Sequence, residues 1–166
     1  MQAKDNIILT HEQIQHKIKR IAYQIYETNV NEKEIVIAGI AENGYIFAQR
    51  LANILEDISG IHVTICKVTM DKSTPQNTVK TSLEPLAYQN KSLVLADDVL
   101  NSGTALAYGV KHFLDVPLTR FKTAVLVNRN HKKYPIKADF KGISLSTSLH
   151  EHVTVTFGES DVAVLQ

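Results

Sequence analysis

The hydrophobic and polar positions near the start of the chain follow a helical pattern. Isoleucines recur at three- and four-residue spacing after residue 10, and polar residues fall between them. Thr10 is a favourable N-cap, and Gln13 completes the Thr-x-x-Gln pattern of a capping box. The pattern predicts an amphipathic helix that packs through one apolar face, formed by Ile14, Ile18, Ile21 and Ile25.

Downstream, short apolar runs alternate with further helical patterns. Helices are predicted around 47–55 and 106–113. Strands are predicted at 35–38, 61–66, 93–96 and 124–127. Short strands separated by amphipathic helices are typical of a parallel sheet covered on both faces. The predicted fold class is therefore α/β, with a central parallel sheet flanked by helices.

Two segments depart from this alternation. Residues 70–90 contain few apolar anchors, which predicts a long loop of functional or mobile character. Residues 138–165 carry short alternating segments without a helical pattern, which predict extra strands that close or cap one edge of the sheet. No repeat or low-complexity stretch divides the chain, so residues 1–166 are expected to form a single domain.

Composition narrows the possible function classes only slightly. The single Cys66 excludes a disulfide framework and a multi-cysteine metal site. No apolar run approaches the ~20 residues that span a bilayer, and the first ten residues lack the apolar core of a secretory signal. A cytoplasmic protein without a membrane segment is expected. The formal net charge of +1 predicts no broad positive field that would attract nucleic acid.

The strongest chemical signal is the stretch 93–105. An apolar strand leads into Asp97 and Asp98, and a turn containing Ser102 and Gly103 then opens a helix. Ligands of open parallel sheets bind at the carboxyl ends of the strands, and the free N–H groups of a helix start suit a phosphate. Paired acids suit vicinal hydroxyls or a hydrated magnesium ion. A sugar-phosphate site is favoured over the alternative of solvated acids in which Asp98 and Ser102 merely cap the helix.

This stretch is neither a Walker-type loop nor a dinucleotide fingerprint. Its letters, LVLADDVLNSGTA, resemble the phosphoribosyl-pyrophosphate signature of type I phosphoribosyltransferases. Within that family, the pyrimidine operon attenuator / uracil phosphoribosyltransferase branch is similar to ILTHEQIQHKIKRIAYQIYE, IVIAGIAENGYIFAQRLA and AVLVNRNHKKYPIKADFKGISLSTS. The resemblance covers nearly the whole chain apart from 70–90.

The resemblance implies a fold, a reaction and a cofactor. The fold would be that of type I phosphoribosyltransferases, with a flexible lid at 70–90 and a short C-terminal β segment. The reaction would transfer a phosphoribosyl group from 5-phosphoribosyl 1-pyrophosphate, bound with Mg²⁺, to a nucleobase, with uracil giving UMP as the expected case. A homodimer or homotetramer is also implied.

The resemblance further assigns roles to individual residues. Asp97 and Asp98 would be the catalytic acids that hold the ribose hydroxyls and the metal. The turn around the 5-phosphate would consist of Asn101, Ser102, Gly103, Thr104 and Ala105. The pyrophosphate loop would be Ala41, Glu42, Asn43 and Gly44, and the base pocket would lie around Asp139 and Phe140.

The chain departs from the branch at cationic positions. The branch usually carries Lys-Thr-Arg-Gly in the pyrophosphate loop, whereas loop 41–44 has lost both cations and gained Glu42. Cations are also missing at Thr104 and Ile143, and the lid offers Lys72 in place of an Arg. Because the loss of one such donor costs about 10²–10³ in rate, two alternatives to an active enzyme stay open. These are a nucleotide-sensing, RNA-binding regulator of pyrimidine genes and a catalytically weakened nucleotide-binding relative.

Five cations are concentrated between residues 129 and 141. Attenuator relatives bind RNA on a basic dimer face, so one interpretation of this cluster is a patch that faces phosphate or RNA, such as pyrimidine leader RNA. Since few aromatic residues lie between the cations, a solvated loop is the slightly favoured interpretation. The cluster consists of Arg129, Lys132, Lys133, Lys137 and Lys141.

Overall fold

The computed structural model of the chain describes residues 6–76 and 78–166. The first five residues and Asn77, which belongs to the predicted lid, lie outside the described residues. In chain order, the elements are β1 (Asn6–Leu9), α1 (His11–Thr28), β2 (Glu34–Ile40), α2 (Asn43–Ile58), β3 (His62–Met70), β4 (Val79–Thr81), α3 (Pro85–Tyr88), β5 (Ser92–Leu100), α4 (Thr104–Phe113), β6 (Arg120–Arg129), β7 (Phe140–Leu145), β8 (Val153–Thr156) and β9 (Val162–Leu165).

The main sheet has six strands in the order β4-β3-β2-β5-β6-β7. All neighbouring pairs are parallel except β3 and β4, which run antiparallel. Residues of α1 and α2 pack in a core cluster on one face, and residues of α3 and α4 pack in a second cluster on the other face. The predicted α/β architecture with helices on both sides of a central parallel sheet is confirmed.

Helix α1 begins at the predicted cap. The Thr10 hydroxyl accepts from the Gln13 N–H at 3.3 Å, and the Gln13 side-chain oxygen accepts from the Thr10 N–H at 2.9 Å. The four isoleucines of the predicted apolar face are all buried. None of the helices in the described part of the chain has the length and apolarity needed to cross a membrane.

The strands of the C-terminal segment belong to two different sheets. Strand β7 extends the main sheet as a parallel edge strand, as the prediction of edge strands requires. Strands β8 and β9 instead form a small antiparallel sheet with β1, in the order β1-β9-β8. The pattern at the N-terminus did not indicate β1, because a strand of four residues carries too little periodicity to be recognised.

The long excursion expected at 70–90 is shorter than predicted. Strand β4 pairs with β3, and the single turn of α3 places Tyr88 in the core with 1% exposure. The Tyr88 ring packs edge-on against Phe113, with 5.0 Å between the ring centroids. Isolated apolar residues therefore anchor the second half of the segment, which contains the regular elements β4 and α3.

Candidate functional site

The two acids predicted to follow a strand lie inside it. The predicted strand 93–96 lies in the first half of β5, which continues to Leu100 and therefore includes Asp97 and Asp98. The Asp97 carboxylate accepts from the Asp98 N–H at 2.9 Å, and the Asp98 carboxylate accepts from the Val99 N–H at the same distance. Each acid is thus held against the backbone at the carboxyl end of the central strand.

The surroundings of Asp97 change its acidity. Asp97 is buried, with only 4% of the residue exposed to solvent. Burial raises the pKa of Asp97 well above its usual range, the Asp98 carboxylate raises this pKa further, and Lys72 lowers it by a smaller amount. Burial and the neighbouring carboxylate therefore both disfavour the charged form of Asp97.

The start of α2 packs directly against the acid pair. A Cβ atom on Gly44 would lie 2.9 Å from the Asp97 Oδ1 atom and 2.9 Å from the Ala96 carbonyl oxygen. Glycine at this position is what allows the helix to approach the strand so closely. The predicted pyrophosphate loop 41–44 is consequently a neighbour of the acids.

Glu42 is exposed and lies beside Lys67. Its side chain is 81% exposed, and its carboxylate lies 3.8 Å from the Lys67 ammonium group on β3. The preceding residue, Ala41, donates its N–H to the Val68 carbonyl oxygen of the same strand at 2.8 Å. Sequence reasoning did not single out Lys67, because the pairing of β2 with β3 brings it to this loop from 25 positions downstream (42 to 67).

The predicted phosphate turn has an unusual backbone conformation at Gly103. This residue has φ = +87°, and a Cβ atom there would lie 2.4 Å from the Ile136 Cγ2 atom. The Ser102 carbonyl oxygen accepts from the N–H groups of Lys133 at 2.7 Å and of Tyr134 at 3.2 Å. The chain after β6 therefore holds the turn in place from outside.

Helix α4 presents free donors at its start. The N–H groups of Ala105 and Leu106 have no acceptor among the described residues, and both residues line the cavity beside the turn. The Thr104 N–H donates to the Ser102 hydroxyl at 3.3 Å, and the two hydroxyls lie 2.8 Å apart. A side-chain cap therefore accounts for one N–H group at the start of α4. At least two further N–H groups remain free to bind an anion.

The acid pair and the turn line one cavity of about 340 Å³. Lys72, the only Lys or Arg among the described residues of its lining, comes from the segment after β3, and Val153 comes from β8. The complete lining is Lys72, Asp97, Asp98, Val99, Leu100, Asn101, Ser102, Gly103, Thr104, Ala105, Leu106, Val125 and Val153. The structure therefore brings the predicted acids and all five residues of the predicted turn together.

The other predicted residues lie beside this cavity or apart from it. Loop 41–44 does not line it, although Asn43 and Gly44 contact the acids. Asp139 is exposed and accepts from the Thr123 N–H at 2.9 Å, and Phe140 packs in the core with 8% exposure. The assignment of the base pocket to these two residues stays a prediction.

The cationic cluster at 129–141 divides into two parts. Arg129 is buried, with 6% exposure, so it does not belong to a surface patch. The four lysines at positions 132, 133, 137 and 141 are exposed. The prediction of one solvated surface cluster is therefore wrong for Arg129. This residue is near the lysines in the sequence but is buried in the structure.

The donor set fits a magnesium ion that arrives with its substrate. Among the described residues, Asp97 and Asp98 are the only carboxylates that line the cavity. Among the described residues, no group of three or more His, Cys, Asp or Glu side chains could hold a metal ion. Magnesium usually keeps several waters and is bound through one or two carboxylates together with substrate phosphates, and this site offers such a pair.

The sequence is similar to known proteins over nearly its full length. The family described as "Phosphoribosyl transferase domain" matches residues 5–160. The bifunctional protein PyrR of Macrococcus caseolyticus is 33% identical over 162 residues, which cover 93% of each chain. The bifunctional protein PyrR of Deinococcus radiodurans is 30% identical over 169 residues, which cover 97% of this chain and 92% of that protein.

Solved structures share the fold. The hypoxanthine phosphoribosyltransferase of Trypanosoma cruzi, in complex with IMP, superposes with a TM-score of 0.78 at 18% identity, covering 99% of this chain and 95% of that chain. A hypoxanthine-guanine phosphoribosyltransferase of Bacillus anthracis gives a TM-score of 0.73 at 23% identity, covering 88% and 85%. With the family match, the PyrR relatives and this shared architecture, the chain belongs to the type I phosphoribosyltransferase family.

Proposed function

We propose that this protein transfers the phosphoribosyl group of 5-phosphoribosyl 1-pyrophosphate to uracil, giving UMP. The observation that supports the proposal is the 340 Å³ cavity, which has two carboxylates on one side and the free N–H groups of a helix start on the other. Such a cavity suits the hydroxyls and the 5-phosphate of one sugar phosphate. The choice of uracil rests on the resemblance to the uracil branch of the family.

Each part of the cavity has a role in this reaction. Asp97 and Asp98 bind the ribose hydroxyls, and the N–H groups of Ala105 and Leu106 bind the 5-phosphate. Asp97 and Asp98 would also hold Mg²⁺, which would supply positive charge to stabilise the leaving pyrophosphate. A nucleobase nitrogen then forms a bond to the anomeric carbon as the bond to pyrophosphate breaks.

The segment between β3 and β4 is proposed as the lid. It carries Lys72, which already lines the cavity. Its first turn is ordered by Asp71, whose carboxylate accepts from the Ser73 N–H at 2.9 Å and from the Ser73 hydroxyl at 2.6 Å. Closure of this segment would exclude water, which would otherwise compete with the base for the activated sugar.

Conversion of radiolabelled uracil tests the proposal. Protein supplied with saturating 5-phosphoribosyl 1-pyrophosphate and Mg²⁺ should form UMP, and Asp98→Asn should reduce the rate by about 10² or more because a cavity carboxylate is lost. Hypoxanthine and guanine in place of uracil test the choice of base. No UMP above the protein-free background would refute the proposal.

A second candidate is a nucleotide-binding relative with little turnover. The observation that favours it is the scarcity of cations: in the part of the chain that the structure describes, Lys72 is the only cation that lines the cavity, and Glu42 pairs with Lys67 beside the loop. This candidate predicts that UMP binds in a calorimeter while no UMP forms from uracil. Rapid formation of UMP would exclude it.

RNA remains a proposed partner, and a homodimer or homotetramer remains the proposed assembly. The four exposed lysines between 132 and 141 are the feature that supports RNA binding. A gel-shift titration against pyrimidine leader RNA should show an affinity that falls steeply with salt concentration. Binding that is absent or independent of salt would remove this partner.

A further inference from the structure

Arg129, the last residue of β6, is a buried cation bound only to neutral oxygens. Its Nε atom donates to the Thr147 hydroxyl at 2.9 Å, and its Nη2 atom donates to the carbonyl oxygens of Glu151 at 2.6 Å and Ser148 at 3.4 Å. Its Nη1 atom donates to the Asn101 side-chain oxygen at 2.9 Å. Within the described residues, Arg129 has no ion-pair partner.

A buried charge of this kind is unusual in a protein interior. Removing a guanidinium group from water is unfavourable, and buried charges are normally compensated by an opposite charge. Arg129 lies at the carboxyl end of β6 and contacts Asn101, which lines the cavity. An anion in the cavity would supply the compensation that the protein itself does not.

The contact with Asn101 determines which way the amide of that residue points. Because the guanidinium group can only donate, it selects the Asn101 oxygen and leaves the Asn101 Nδ2 group on the other side. That group has no acceptor among the described residues, and Asn101 lines the cavity. A hydrogen bond from a charged donor also polarises the amide and makes its N–H groups stronger donors.

We propose that Arg129 is a positioning residue for the substrate phosphate and acts through Asn101. It holds the Asn101 amide as a donor toward the cavity, and its buried charge attracts the phosphate ester. The inference rests on the proposed function only in that the ligand is a sugar phosphate. It assigns Arg129 to the phosphate site, whereas the sequence pattern grouped this residue with the exposed lysines.

Binding of ribose 5-phosphate, measured by calorimetry without magnesium or base, tests the inference. Arg129→Gln and Asn101→Ala should each weaken binding by about ten-fold or more, since each removes a donor or its support. In the Asn101→Ala background, Arg129→Gln should weaken binding by a smaller factor than in the wild type, because the part of its effect that acts through Asn101 is already lost. If Arg129→Gln does not fold, Arg129→Lys takes its place, since Lys lacks the planar fork.

Thr147→Val is the matched control. It removes one of the other hydrogen bonds of Arg129 and leaves the contact with Asn101 in place. It should lower the melting temperature slightly and leave ribose 5-phosphate binding unchanged. Asn101→Asp keeps an acceptor for Arg129 but removes the amide donor, so it should preserve the melting temperature and weaken binding by about ten-fold or more.

Two results would overturn the inference: multiplicative effects of Arg129→Gln and Asn101→Ala on ribose 5-phosphate binding, or variants that change only the melting temperature. These results are distinct from failure of the proposed function. Wild-type protein that binds ribose 5-phosphate and shows the coupling but forms no UMP would refute the proposed reaction alone. Protein that forms UMP while the coupling is absent would refute the role of Arg129 alone.

Discussion

Asn43, in the loop predicted to face pyrophosphate, binds Asp98 of the acid pair. Its side-chain amide donates to the Asp98 Oδ2 atom at 3.1 Å and to the Val155 carbonyl oxygen at 2.8 Å. One side chain therefore joins the start of α2, the carboxyl end of β5 and strand β8 of the small sheet. At a position where the branch usually has a cation, this chain uses a neutral amide to hold the site together.

Asn43→Ala should weaken the site and the fold together. Loss of both hydrogen bonds leaves Asp98 and Val155 without a partner from the loop, so we expect a loss of about 1–3 kcal/mol in the free energy of unfolding and weaker binding of 5-phosphoribosyl 1-pyrophosphate. Denaturant titration and calorimetry measure the two effects. Asn130→Ala, an exposed asparagine, is the matched control, and equal effects in both variants would contradict this role for Asn43.

Glu42→Gln should have little effect on ligand binding. The carboxylate is exposed and lies 3.8 Å from Lys67, and exposed pairs of this kind contribute little. Affinity for pyrophosphate, measured by calorimetry with Mg²⁺, should change by less than about two-fold. A gain of about ten-fold would mean that Glu42 turns toward the ligand and repels it.

Thr104→Arg should raise turnover if the missing cations limit it. Thr104 lines the cavity at the start of α4, where an added guanidinium group would lie beside the bound phosphates. We expect kcat/KM for UMP formation to increase by about ten-fold or more. Thr104→Gln adds similar length without charge, and an equal increase in that variant would exclude an electrostatic cause.

Gly103→Ala should damage both the turn and the stability of the fold. A side chain at φ = +87° is strained, and the Cβ atom would lie 2.4 Å from the Ile136 Cγ2 atom. A loss of about 1–3 kcal/mol in the free energy of unfolding is expected, together with weaker phosphate binding. Gly60→Ala is the control, because a Cβ atom there would meet nothing within 4 Å. Similar losses in both variants would contradict the steric argument.

Asp161 should stabilise the protein in a pH-dependent manner. Its side chain is fully buried beside Arg50, and the Gly158 N–H donates to it at 2.9 Å. Burial alone would raise the pKa of Asp161, but the hydrogen bonds from Arg50 and Gly158 outweigh it and lower the pKa. A lowered pKa means that the stabilisation is complete above the unfolded-state value of about 3.9 and is lost as the pH falls through the folded-state pKa.

Asp161→Asn should therefore reduce the free energy of unfolding by on the order of 3 kcal/mol at pH 7. The difference between the variant and the wild type should shrink as the pH falls below about 4. Urea unfolding at a series of pH values measures it. The exposed Glu159 is on the same hairpin, and Glu159→Gln should leave stability nearly unchanged. A difference that is constant with pH would contradict the assignment to the Asp161 charge.

Local features of the site could be predicted because each of them is formed by residues that are consecutive in the sequence. The strand, the acids and the Ser-Gly turn before α4 occupy one continuous stretch, and the structure places all of them around one cavity. The capping box of α1 is equally local and forms as predicted. The end of β5 was not predicted because aspartate has a low strand propensity. The pairing with β6 nevertheless continues past the two aspartates.

Contacts between distant parts of the chain could not be predicted in the same way. Lys67 reaches Glu42 because β2 pairs with β3. Lys72 and Val153 reach the cavity from segments before and after the acid motif. Each of these contacts depends on the packing of whole elements, and no short spacing in the sequence encodes it.

The order of residues alone was sufficient for the α/β class, for the acid pair with its turn and for the resemblance to phosphoribosyltransferases. Periodicity, capping and motif spacing arise from residues that are close together in the sequence, so they can be recognised without knowledge of the fold. Tertiary structure decided how the charges are distributed: Glu42 is exposed and paired with Lys67, while Arg129 is buried and bound to Asn101. Burial and pairing determine what a charge does, and both depend on residues brought together from far apart in the chain.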